Sequence, residues 1–190
     1  MNINKKVTLQ RIQTLTELHG APGFEEEVKN YMIQQMAPYV DEFIENRMGG
    51  FFGVKKSKNP NAKRVMIAAH MDEIGFMITN ITKNGMIQFT NLGGVANDIW
   101  QGTRLVITNR KSDKIIGVVS SIPKHFRTGS EGAPEIKDLT LDIGAQNEDE
   151  VRERGIDIGD TIVPHTPFTQ LSEHRYSAKA WDNRYGCVLA

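Results

Sequence analysis

Apolar residues at the start of the chain recur in three-residue steps. Leu9, Ile12, Leu15 and Leu18 fall on one face of a 3.6-residue repeat and run into HGAPG, where Gly20 and Pro22 end the pattern, so the spacing predicts one amphipathic helix. After Gly23, Val28, Met32 and Met36 repeat every four residues behind Glu25, Glu26 and Glu27. This predicts a second helix whose acidic first turn complements the positive end of its dipole. DEFIENRMGGFFGVKKS reads as two short strands about Gly49 and Gly50, and KNPNAK as a turn. Val65 to Ala69 is apolar at every position, the pattern of a strand covered on both faces in a sheet sandwiched by helices.

From Ile74 the texture changes to short strands with close turns. ITNITKNGMIQF has a hairpin signal at Asn84 and Gly85, and RLVITNRKSDKIIGVVSS another around Lys111 to Asp113. Asn147 is placed to cap a helix ending near Arg154, with Glu148 to Glu150 in its first turn, and IDIGDTIVPHTPF returns to strand and turn signals. The predicted organisation is a β-rich module over residues 74–168, inserted into an α/β domain formed by residues 1–73 and 169–190. YGCVLA reads as a helix just beginning, so the chain is expected to stop within that domain.

Composition narrows the partners. The 190 residues carry 23 Lys and Arg against 23 Asp and Glu, and a formal charge of zero leaves no broad basic surface for a phosphate backbone. Nucleic acid is therefore excluded as an expected partner. No apolar run approaches the length needed to cross a bilayer, so no membrane partner and a cytoplasmic location are expected. Cys187 is the only cysteine, which rules out an internal disulfide and a thiolate cage. A metal here must be held by His, Asp and Glu.

Candidate chemistry begins at RVMIAAHMDEIGFM. Side chains two apart on a strand point the same way, so His70 and Asp72 share a face at the strand's C-terminal end, where open α/β sheets place ligands. A metal-ligating histidine passes its other ring N–H to a carboxylate or carbonyl, and Asp72 either serves His70 in this way or orients a neighbouring group. Alone, His-x-Asp fits a strand-end histidine and a turn aspartate equally well. Asp182, in KAWDNRYG, either bridges two cations roughly 3.5 to 4 Å apart or caps a helix entering at Asn183, with Arg184 pairing nearby. His125 sits in a predicted loop as a surface or interface histidine, His165 and His174 are expected to be exposed, and Trp100 and Trp181 to pack.

Taken together, AAHMDEIGFM and AWDNRYG resemble the signature segments of the glutamyl and tetrahedral aminopeptidases, co-catalytic metallopeptidases of the MH clan. HGAPGFEEEV, GVVSSIPKH and GIDIGDTIVP extend the resemblance over essentially the whole chain. It implies an α/β fold, a partial zinc-peptidase-like domain with an inserted, barrel-like dimerisation domain. It also implies two divalent ions, Zn2+ or Co2+, per complete subunit, with His70 a ligand of one, Asp182 the carboxylate bridging both, and Asp72 the catalytic-site aspartate beside them. A cis peptide between Asp182 and Asn183 and a homo-oligomer of dimers building a larger assembly belong to the same implication. The expected reaction is removal of an N-terminal residue, Glu or Asp being the candidates, from a peptide substrate. Family members place an adjacent Glu-Glu pair, a further aspartate and a final histidine beyond the stretch that this chain matches, so the chain alone is expected to be inactive. Two readings from other classes stand beside this one: a non-catalytic oligomerisation fragment, and an endoglucanase acting through paired carboxyls.

Overall fold

The computed structural model describes residues 4–121 and 134–190, and His125 lies outside them. The chain is mixed α/β and divides into two compact units, Met1–Glu73 with Pro167–Ala190, and Ile74–Thr166.

In the first unit, α1 (Lys5–Glu17) starts at Asn4, whose side-chain oxygen accepts from the N–H groups of Lys6 and Val7 and so satisfies two of the donors a helix start leaves open. Its Leu15 packs with Val28 and Met32 of α2 (Glu26–Met36) and with Cys187 of α4 (Trp181–Leu189), as the apolar spacing predicts for the first two helices. β1 (Glu42–Glu45) and β2 (Phe51–Val54) pair antiparallel about a turn where Asn46 Oδ1 accepts from Met48 and Gly50 N–H, both at 2.9 Å. A second hairpin joins β9 (Thr169–Ser172) and β10 (Arg175–Ser177).

One expectation fails here. Val65 to Ala69 form no strand, and Val65, Met66 and Ile67 are 85%, 76% and 68% exposed. β-Branched composition encodes the capacity to sit in a sheet, but a strand also needs a neighbour for its backbone groups. The first unit's described strands are two separate hairpins, and neither pairs its backbone with residues 65–69.

The second unit closes on itself. β3 (Gly75–Ile81), β4 (Ile87–Leu92), β5 (Arg104–Thr108), β6 (Lys114–Val119), β7 (Thr140–Asp142) and β8 (Thr161–Pro164) form a barrel in the order β3-β4-β7-β6-β5-β8. Closure leaves no strand edge unpaired. Phe76, Ile78, Ile87, Phe89, Leu105, Ile107, Leu141 and Ile162 point inward and form one core. A bulge between Ile78 and Asn80 shifts the alternation, so that Ile81 rather than Asn80 is buried. Both predicted hairpins are present. At the first, Gly85 takes φ +77, and a Cβ there would lie 2.6 Å from Ala145 O. Helix α3 (Glu148–Glu153) starts at Asn147, whose Oδ1 accepts from Glu150 N–H at 2.9 Å, as the capping signal predicts. Trp100 packs edge-on to Phe76 at 4.9 Å between ring centroids and donates its indole N–H to Ala96 O. Among the described residues no helix is long and apolar enough to cross a membrane.

Phe76 is fully buried between Phe89 and Trp100, so Phe76→Ala should destabilise the chain by about 3–5 kcal/mol. Denaturant unfolding followed by tryptophan fluorescence measures it. A loss below about 1 kcal/mol would mean that this core does not hold the barrel together.

Candidate active site

The backbone around Asp182 departs from helical geometry before α4 becomes regular. Ala180 is left-handed at φ 55, Asp182 and Asn183 have non-helical angles, and the peptide between these two is cis. Ala180, not Asp182, occupies the cap position, and its side chain makes no capping hydrogen bond. The Asp182 side chain is 93% exposed, and its Oδ1 lies 3.0 Å from His70 Nε2. On the other side of the ring, His70 Nδ1 lies 2.9 Å from Asp72 Oδ1. The three residues singled out in the sequence thus meet around one imidazole, although no regular strand carries His70 and Asp72.

That arrangement restricts the ring's chemistry. A neutral imidazole has one N–H, so it can donate to one of the two carboxylates but not to both. The ring is therefore either a doubly protonated imidazolium, or it keeps Nδ1–H on Asp72 and turns its Nε2 lone pair, together with Asp182, toward a cation. Burial pulls the His70 pKa down, but the hydrogen bond to Asp182 and the charge and hydrogen bond of Asp72 outweigh it, and the net direction is upward from 6.5. The second alternative fits a divalent metal: a carboxylate on the far ring nitrogen is the usual support of a metal-bound histidine. The fit covers part of a coordination shell only. Among the described residues no group of three or more His, Cys, Asp or Glu side chains is arranged to hold an ion.

Beneath the exposed triad lies a buried ionic cluster. Arg184 is 0% exposed and spreads its guanidinium over Leu15 O, Leu18 O, Met71 O and Glu73 Oε1. Lys179 Nζ donates to Leu18 O at 2.8 Å and to Glu73 Oε1 at 2.5 Å. Leu15 O and Leu18 O are carbonyls of the C-terminal end of α1, which has no basic residue of its own in the last turn. Arg184 and Lys179 supply the missing donors and place positive charge at the negative end of the helix dipole. Burial pushes the Glu73 carboxyl up from its ordinary value, while Lys179 and Arg184 pull it back. Cys187 Sγ donates to His70 O at 3.3 Å, and burial raises its thiol pKa.

Pattern reading does not single out Glu73 or Lys179, and takes Arg184 only as a neighbour of Asp182. The available signal is a charge following an apolar run and HMD, and an Arg three positions before a buried Cys on one helix face. The other expected residues are bland. Trp181 lies near Phe168, which stacks on Tyr176 at 5.3 Å; His174 is exposed, and His165 is half-buried in the second unit, where exposure was expected.

The sequence model of the M42 glutamyl aminopeptidase family matches residues 49–190. The glutamyl aminopeptidase of Lactococcus lactis is 38% identical over 186 residues, 94% of this chain and 52% of that protein. The TET aminopeptidase structure from a marine sediment thaumarchaeon superposes with TM-score 0.89 at 33% identity, covering 98% of this chain and 52% of the other. The TET1 peptidase of Pyrococcus horikoshii, whose structure is described as assembling into a tetrahedron or a large octahedral shell, superposes at 0.82 with 25% identity, covering 95% and 53%. The chain spans about half the length of the curated relatives it matches.

Removing Glu73 strips the buried Arg184 of its hydrogen-bonded counter-charge, so Glu73→Ala should cost about 3–5 kcal/mol in denaturant unfolding of the first unit. A change under about 1 kcal/mol would show that the cluster does not hold α1, the 71–73 segment and α4 together. In the metal-free chain the His70 ring should titrate above 6.5, and Asp182→Asn should lower its midpoint, both read by NMR of the ring protons. Because the folded value lies above the unfolded one, the ring's stabilising contribution is complete below 6.5 and is lost as pH rises through the folded value.

Proposed function

The chain belongs to the M42 glutamyl aminopeptidase family, and on that premise we propose that it serves a metal-dependent aminopeptidase releasing N-terminal residues, with Glu and Asp as candidates, from peptides. The observation that carries this reading is the convergence of His70 and Asp182, 112 positions apart, to 3.0 Å. Asp72 accepts the Nδ1 proton of His70, fixes the tautomer and leaves the Nε2 lone pair free for a cation. Asp182 projects into solvent with two carboxylate oxygens, one beside His70 and one free to reach a second ion, which is the geometry a bridging ligand needs. Bound Zn2+ or Co2+ would supply Lewis-acid polarisation of the scissile carbonyl and a lowered pKa for water. An acidic preference is supported by the name of the Lactococcus relative.

In this reading residues 1–73 and 169–190 are catalytic α/β domain, and residues 74–168 form a dimerisation domain of a cytoplasmic homo-oligomer. The closed barrel with its own core and the assembly described for the TET1 peptidase support that division. The endoglucanase reading is weaker, because Asp72 and Asp182 flank a single imidazole instead of facing one another across a gap that would take a sugar bond.

His70 and Asp182 are two ligand groups, whereas catalytic zinc usually takes three from protein. The purified chain should therefore bind Co2+ weakly, lose that binding in His70→Gln and in Asp182→Asn, and show no turnover of a glutamyl reporter. Calorimetric titration and a chromogenic assay measure both. Chelator-sensitive turnover by the chain would overturn the ligand count, and Co2+ binding that survives both substitutions would overturn the site.

A further inference from the structure

Groups that touch neither the His70 nor the Asp182 side chain join the two segments that bear them. Asp182 stands at the start of α4, and positions 184 and 187 of the same helix, three apart, share a face. From that face Arg184 Nε donates to Met71 O at 2.5 Å and Cys187 Sγ donates to His70 O at 3.3 Å. The helix that bears Asp182 thus grips two consecutive carbonyls of the segment that bears His70 and Asp72. The guanidinium is fixed from its other side: Glu73 Oε1, shared with Lys179, and the carbonyls of Leu15 and Leu18 surround it. Gly20 leaves it room, since a Cβ at that position would strike the Arg184 guanidinium and crowd Met71 O at 3.3 Å. Glu73 N–H donates to Gly20 O at 2.9 Å, which closes the arrangement through the backbone.

We propose that Arg184, held by Glu73 and Lys179, is a positioning residue that sets the distance and orientation between His70 and Asp182, and through them the pair's affinity for a divalent cation. The affinity half of the inference rests on the metal reading above; the positioning half stands on the apo geometry alone. A planar guanidinium with several donors can hold Met71 O, the α1 carbonyls and Glu73 at once. An ammonium cannot span them, so Arg184→Lys keeps the charge and loses the geometry.

Two readouts on the 190-residue chain separate positioning from general stability. The first is nitrogen–proton NMR of the His70 ring in the metal-free protein at one fixed, mildly acidic pH, assigned by its disappearance in His70→Gln. Arg184→Lys should abolish the hydrogen-bonded signature of Nε2 against Asp182, and Gly20→Ala, which displaces the guanidinium from outside, should weaken it. Met32→Ala, a cavity in the same apolar cluster, should leave it unchanged while lowering the unfolding midpoint. The second readout is Co2+ titration, in which Arg184→Lys should weaken binding by about ten- to a hundredfold, the range seen when the groups supporting metal ligands are altered. Wild-type ring signals in both Arg184→Lys and Gly20→Ala would overturn the proposal, as would loss of the signature in Met32→Ala. If Arg184→Lys does not fold, Gly20→Ala and Cys187→Ala carry the same comparison. A wild-type chain that binds no Co2+ while its ring signals respond to Arg184→Lys defeats the metal reading and leaves positioning standing. Co2+ binding with unaltered ring signals and affinity in the variants does the reverse.

Discussion

The first unit depends on a guanidinium with no access to water. Burying an unpaired charge costs many kcal/mol, and the penalty is tolerable only where counter-charge and hydrogen bonds replace the lost hydration. Arg184 has both: Glu73 supplies the negative charge, and three main-chain carbonyls accept from its Nε and Nη1. Lys179 adds a second cation beside Glu73 and the Leu18 carbonyl, where the negative C-terminal end of α1 favours positive charge. Among the described residues Glu73 Oε2 is buried without a hydrogen-bond partner, so the carboxylate is held mainly through one oxygen. A cluster of this kind adds little net stability over a well-packed apolar one, but it tolerates few alternative geometries. Three stretches distant in sequence, residues 15–20, 71–73 and 179–184, are thereby locked into one register.

The second unit is held by other means. Its barrel buries a continuous set of aliphatic and aromatic side chains and satisfies its strand edges by closure. Apolar burial is forgiving in detail, because side chains of similar volume repack at small cost. The cation site proposed for the first unit would have no such tolerance, because metal–ligand distances are narrowly set. Directional donors under the site and volume-filling contacts in the barrel therefore suit what each unit has to specify.

Legibility in the sequence follows the same division. Helices α1 and α2, the Asn84–Gly85 hairpin and the Asn147 cap were readable because each is decided within a few residues, by periodicity, turn chemistry or a side chain capping its own helix. His70, Asp72 and Asp182 were readable as candidates because their motifs are compact, and their meeting was implied by resemblance. Val65 to Ala69 misled for the opposite reason. Its apolar pattern is local, but whether it becomes a strand depends on a neighbour that no local pattern names. Glu73 and Lys179 were invisible on similar grounds, since a charge in a sequence looks the same whether it is solvated or buried against a helix end.

The exposed triad and the buried cluster answer to one another. Asp182 is open to solvent, as the proposed metal-ligand role requires, and an exposed carboxylate on a mobile support would sample many positions. Packing cannot immobilise it directly without covering it. The constraint is applied from below instead, through main-chain carbonyls at residues 70 and 71 gripped by the first full turn of the helix that carries Asp182. Because those contacts are made to backbone atoms, the His70 and Asp72 side chains remain free for chemistry while their origins are fixed. Accessibility and precision, which compete when a ligand is held by its own side chain, are here assigned to different layers of the same unit.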